Sequence, residues 1–204
     1  VFFNEYALNP QNRVFFTSLL AELKEQGFGY IAIEALSGKD NQLQERGYPV
    51  LNSGYLTREP LFGELIRTAI DLGLEIVSYS ASDSEVEKAE QIIKRKYGGG
   101  SPAEVKAMAR RWAQAMNINR LYKKYPDAKL LVYSSDPLLN EADEPAEKSV
   151  AAWYKTLSSK NPLTIDMATM TEKCQLASNP LFKKRTISEP TVFLERDKIF
   201  TTNT

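Results

Sequence analysis

Two glutamates stand where an α/β protein would carry chemistry. Glu5 lies near the end of the apolar run Val1–Tyr6, and Glu34 near the end of the apolar run Tyr30–Ala35. A carboxylate at the tail of such a run is costly unless it is paired or wetted. If the two runs are neighbouring strands, both carboxylates enter one crevice. There they could hold a metal ion, or one could act as a general base with a raised pKa. The alternative is that each caps a helix or pairs with an arginine. Arg13 falls in the first turn of the helical segment after the first run, where the helix N-terminus disfavours a cation. That position suggests a carboxylate partner such as Glu5, an anionic ligand, or a solvated surface arginine.

Composition removes many other chemistries. The chain contains no histidine and one cysteine, Cys174. Ser-His-Asp and Cys-His triads, histidine zinc sites and a proximal histidine on haem are therefore excluded. Cys174 has no partner in the chain for a disulfide, and no cysteine zinc site can be assembled. The 26 basic and 26 acidic side chains balance, which gives no charge argument for nucleic acid or a membrane surface. The basic stretch 94–124 and the acidic stretch 136–147 read as solvated faces, without the interleaved aromatics of a base-stacking surface. No apolar run approaches the roughly 20 residues that span a bilayer. The expectation is a soluble protein, cytoplasmic or periplasmic, with no cofactor or metal and with a small-molecule or peptide ligand. Val1 opens directly in a strand-like run, which suggests a further segment upstream, and the C-terminal end reads as incomplete.

The elements that must position these residues alternate. Strands are expected at Val1–Tyr6, Tyr30–Ala35, Leu74–Tyr79, Ala128–Tyr133 and Leu163–Met167. Asn9-Pro10 begins a helix as N-cap and first-turn proline, with Val14, Leu19, Leu20 and Leu23 as its apolar stripe, Phe15 and Phe16 flanking it, and Gly27 as its stop. Pro60 begins a second, with Leu61, Leu65, Ile66, Ala69 and Ile70 inward. Ser82–Lys96 is a third. Ser101-Pro102-Ala103-Glu104 is a capping box that starts a long helix ending near Tyr125, and Glu147–Ser158 is a fifth. Residues 36–58 read as a long loop. Repeated strand–helix–strand units with near-continuously apolar strands predict an α/β fold: a mostly parallel sheet with helices on both faces. Thr191–Leu194 and Lys198–Phe200 suggest late antiparallel edge strands, with Arg196-Asp197 near their turn. The whole reads as one domain, 1–204, with 173–204 as a C-terminal appendage. In such a sheet ligands bind at the strand carboxyl ends, which brings forward Asn4 and Ser135 beside the two glutamates.

The order of these pieces resembles the erythromycin esterase-like and haem-uptake ChaN-like superfamily, which includes the TraB and TIKI proteins, and is most similar to an uncharacterised bacterial branch. That branch opens with Gly-Glu-x-His-His-x-Pro-x-x-x-Arg; here Asn4-Glu5-Tyr6-Ala7-Leu8-Asn9-Pro10 leads to Arg13. Tyr30–Leu36 resembles its strand ending in glutamate, and Gly54-Tyr55 and Arg58-Glu59-Pro60 its following elements. Arg111-Trp112-Ala113-Gln114-Ala115-Met116-Asn117 is similar to its Arg-x-x-Gln-Ala-x-Asn helix. Asn161–Asp166 resembles its Asp-Pro-Leu-Thr-Ile-Asp stretch. Across about residues 1–172 the resemblance implies a site at the strand ends, with Glu59, Gln114 and Asn117 as further ligand-binding candidates. Its members include histidine-dependent hydrolases, metal-dependent proteases and haem binders. Here Ala7, Leu8 and Leu138 stand at its histidine positions, and Tyr79-Ser80 replaces its Tyr-Glu. The expectation is a degenerate ligand-binding or scaffold homologue. The alternatives are a hydrolase using Glu5 or Glu34 as base with Arg13 or Arg111 as oxyanion donor, and haem or metal binding.

Overall fold

The computed structural model describes residues 1–98, 100–136, 138–139, 144–169, 191–195 and 198–202. Five strands form one wholly parallel sheet: β1 (Phe2–Asn4), β2 (Phe28–Ile33), β3 (Glu75–Ser78), β4 (Lys129–Ser134) and β5 (Thr164–Asp166), in the spatial order β3-β2-β4-β1-β5. The helices are α1 (Pro10–Glu25), α2 (Leu43–Arg46), α3 (Pro60–Asp71), α4 (Asp83–Tyr97), α5 (Pro102–Lys124) and α6 (Val150–Ser158). The α/β architecture expected from the alternating pattern is present.

Strand alternation divides the core into two layers. Phe3, Ile31, Ile33, Leu131 and Tyr133 pack against Phe16 and Leu20 of α1 and Phe62, Leu65 and Ile66 of α3. Phe2, Ala32 and Val132 pack on the other face, against Val86 and Ile93 of α4, Ile118 of α5 and Trp153 of α6. The chain first winds β1-β2-β3 with α1 and α3 on one face. It then reverses direction through β4 and β5 with α4, α5 and α6 on the opposite face. Reversal of direction together with reversal of face keeps all the crossovers of one hand.

Several expectations change. β1 and β2 are not neighbours: β4 lies between them, pairing Val132 with both Phe2 and Ala32. Val14 is exposed, whereas Leu20 is buried and Leu19 and Leu23 pack against the core as expected, joined there by Phe16 and the polar Asn12 and Arg13. Leu61 points outward at the start of α3. The late strands β6 (Thr191–Glu195) and β7 (Lys198–Thr202) pair antiparallel with each other as a separate two-stranded sheet and do not extend an edge of the main one. Cys174, Arg196, Asp197 and most of the 173–204 appendage lie outside the described residues.

The helix starts follow their capping chemistry. The Asn9 side chain accepts from the Gln11 N–H before Pro10. Both Ser82/Glu85 and Ser101/Glu104 form reciprocal capping boxes, and each Ser-to-Ala change there would cost about 1 kcal/mol. Segment 36–58 is more ordered than an open loop. It contains α2 and a 3-10 turn at Leu56–Arg58. The Asp40 carboxylate ties Arg46 and the Ser53 hydroxyl together. Gly54 abuts the end of β2 so closely that a Cβ there would sit 2.0 Å from the Ala35 carbonyl oxygen, so only glycine permits this approach. On the sheet edge, the Gln44 amide donates to the Leu74 carbonyl at 3.1 Å and accepts from the Ile76 N–H at 2.9 Å.

Candidate functional site

The reversal of winding creates a switch point at the carboxyl ends of β2, β4 and β1. The connection after β4 leaves toward α6 on one face, while those after β2 and β1 leave toward α3 and α1 on the other. Such a point is where open α/β sheets bind ligands. Glu34, Ser134-Ser135 and Glu5 sit there. The backbone N–H of Glu5 bonds the Ser134 carbonyl, and that of Glu34 bonds the Tyr133 carbonyl.

The two glutamates turn to opposite faces. Glu5 points into the layer under α1 and α3 and is fully buried. Arg13 grips it through two bonds, Nε to Oε2 at 2.8 Å and Nη2 to Oε1 at 3.0 Å. Tyr133 donates its hydroxyl to Oε2 at 2.7 Å. Arg13 also binds Glu59 at 2.9 Å and the Ala7 carbonyl at 3.0 Å, and lies over the Phe62 ring. Burial works against the Arg13 charge, but the hydrogen bond and charge of Glu5 outweigh it and raise its pKa. Burial, then the Glu5 charge, push the Tyr133 phenol well above its ordinary value, so it stays a donor. Glu59 is the N-cap of α3, accepting from the Leu61 and Phe62 N–H groups. Burial would raise its pKa, but those two amides and Arg13 prevail and lower it. Each strong group here already has its partner within the fold.

Glu34 points the other way, toward α5, and is only half-buried. Gln114 Nε2 donates to its Oε1 at 2.8 Å, and the Ser134 hydroxyl and Ser135 N–H donate to its Oε2 at 3.2 and 3.0 Å. Among the described residues no cation pairs with it. The Ser135 hydroxyl oxygen is screened from solvent and has no hydrogen-bond partner among the described residues. Tyr79, fully buried, has its pKa raised well above normal by burial and then by the Glu34 charge. Asn117 donates to the Tyr79 and Ser80 carbonyls and so fixes the turn after β3.

Arg111 is on this second face, engaged with Asp136 at 3.0 Å. Arg13 and Arg111 therefore serve different faces. Asn4 fastens β1 to β5: its Nδ2 donates to Asp166 at 2.8 Å and its Oδ1 accepts from the Met167 N–H at 2.7 Å. The candidates thus divide into Glu5, Arg13 and Glu59 on one face and Glu34, Gln114, Asn117, Ser135 and Arg111 on the other, with Asn4 in the sheet itself.

The chain matches no protein-family model, no curated protein and no solved structure. Among the described residues no three acidic or cysteine side chains converge as a metal-holding group, and no helix is long and apolar enough to cross a membrane. Sequence reasoning missed Tyr133, which binds Glu5. The signal was available: a tyrosine in a buried strand needs a partner for its hydroxyl.

Proposed function

We propose that this protein is a binding protein whose ligand, a small molecule bearing an ammonium or several hydroxyl groups, docks on the Glu34 face of the switch point. The observation that carries this reading is the contrast in charge partners: among the described residues Glu34 has three donors and no cation, whereas Glu5 is consumed by Arg13 and Tyr133. A half-exposed carboxylate held rigid by neutral donors suits a ligand cation or hydroxyl. The Ser135 hydroxyl beside it, without a partner among the described residues, adds a second polar contact. In lineage the chain reads as a relative of the erythromycin esterase-like and ChaN-like group with the histidine positions vacated. Ligand retention without the group's hydrolysis is consistent with Glu5 and Arg13 acting as a structural clamp.

The test is a calorimetric and thermal-shift screen with alkylamines, amino sugars and polyols, run on the native protein and on Glu34→Gln. The reading expects at least one class to bind the native protein and to weaken about tenfold or more in the variant. Equal binding by both proteins overturns it. A parallel screen with ester and peptide substrates covers the hydrolase reading. Turnover lost in Glu34→Gln would replace the binding role with one in which Glu34 is the general base.

A further inference from the structure

The outer edge of β3 is partly occupied by a side chain that imitates a neighbouring strand. The Gln44 amide spans the Leu74 carbonyl and the Ile76 N–H, the i and i+2 groups that a strand partner would engage. Alternation turns the next pair of that kind, the Ile76 carbonyl and the Ser78 N–H, to the same outer side. Gln44 does not reach that pair. It opens instead on a cavity of about 390 Å³ lined by Ile76, Val77 and Ser78 of the strand, Leu36 and Leu43 from segment 36–58, and Leu121 from α5.

Three features define what fits. The strand edge offers one acceptor and one donor at the spacing that Gln44 shows an amide to satisfy. Leu36, Leu43 and Leu121 supply apolar walls on both sides of the edge. Asp40 is the charged residue in the lining, and its charge is met by Arg46, which favours an uncharged occupant. Two features flank the edge pair. Gln44 stands at one end, and at the other the Ser78 hydroxyl bonds the Leu36 carbonyl next to Gly38. The volume of about 390 Å³ lies near the lower end of the small-ligand range and suits a single residue between these two features.

We propose that this cavity takes one apolar residue of an extended, neutral peptide, whose own N–H and C=O pair with the Ile76 carbonyl and the Ser78 N–H. The site is separate from the Glu34 face and does not depend on the function proposed there.

The probe is N-acetyl-leucine N-methylamide, titrated into the full chain and followed by amide NMR. The expected result is saturable shifts at Ser78 and its neighbours in β3. Replacing the leucine N–H by an ester oxygen removes the donor and should weaken binding about tenfold. In Gln44→Ala the Leu74–Ile76 pair becomes free as well. A blocked Leu-Leu-Leu peptide should then gain about tenfold over the single-residue probe, a gain absent from the native protein. Equal affinity of amide and ester, shifts confined to the Glu34 region, or no saturable shift would each overturn the proposal. So would a dimer in sedimentation whose contact excludes the probe, because the occupant would then be a second copy of the chain. The native protein with the amide and ester pair decides the matter even if Gln44→Ala fails to fold.

Discussion

Glu5 and Glu34 close two strands of the same sheet, and β4 separates them by one strand. The first is buried, bidentate with Arg13 and bonded to a tyrosine. The second is half-buried and, among the described residues, held by neutral donors alone. Face, more than position along the strand, makes the difference. The α1 and α3 layer brings an arginine to the carboxylate, while the α5 layer brings a glutamine. A buried carboxylate with its own cation is part of the structure, and the ligand site proposed above is the one that lacks a cation among the described residues.

The sharpest way to break this contrast is Arg13→Ala. It strands Glu5 as a lone buried charge and should cost about 3–5 kcal/mol in denaturant unfolding. A loss below about 1 kcal/mol would show that the Glu5 face is not a clamp. Tyr133→Phe removes one charged hydrogen bond from the same carboxylate and should cost about 1.5–3 kcal/mol by the same measurement. Glu34→Gln keeps the shape and some of the hydrogen bonds, and should change stability by about 1 kcal/mol or less. A cost as large as that of Arg13→Ala would make the two faces equivalent.

The smallest effect concerns acid. Glu59 is held below its ordinary value of 4.5, so the stability it contributes is complete above that value and is lost as pH falls through the lowered one. Unfolding measured between about pH 6 and pH 3 should show a shallower loss for Glu59→Gln than for the native chain. Parallel profiles would mean that Arg13 and the α3 amides do not hold Glu59 in its charged form.

Much of this was legible in the residues. Apolar runs and capping residues located the strands and helices, because both depend on local spacing. Arg13 at a helix start, where a cation is disfavoured, suggested the carboxylate partner that the structure supplies. The split between the two glutamates was not legible. It depends on β4 entering between β1 and β2, and pairing between segments so far apart leaves no mark in local periodicity. Gln44 was invisible for a related reason, since nothing in a polar loop shows that one amide will lie along a strand edge. Along α1 the expectation failed at Val14 alone, since Leu20 is buried and Leu19 and Leu23 pack against the core, while Asn12 and Arg13 are buried beside them to serve Met167, Glu5 and Glu59.

The placement of β1 has a consequence for assembly. Its partners on both sides are β4 and β5, so Phe2 pairs with Val132 and Thr164. During synthesis the strand that leaves the ribosome first has no neighbour to join until β4 follows, on the order of ten seconds later at ordinary translation rates. Over that interval its phenylalanines, the nascent α1 and the exposed flank of β2 must stay in solution without their final contacts. Conditions that slow translation across α4 and α5 should lengthen the interval and raise the share of chains captured by chaperones.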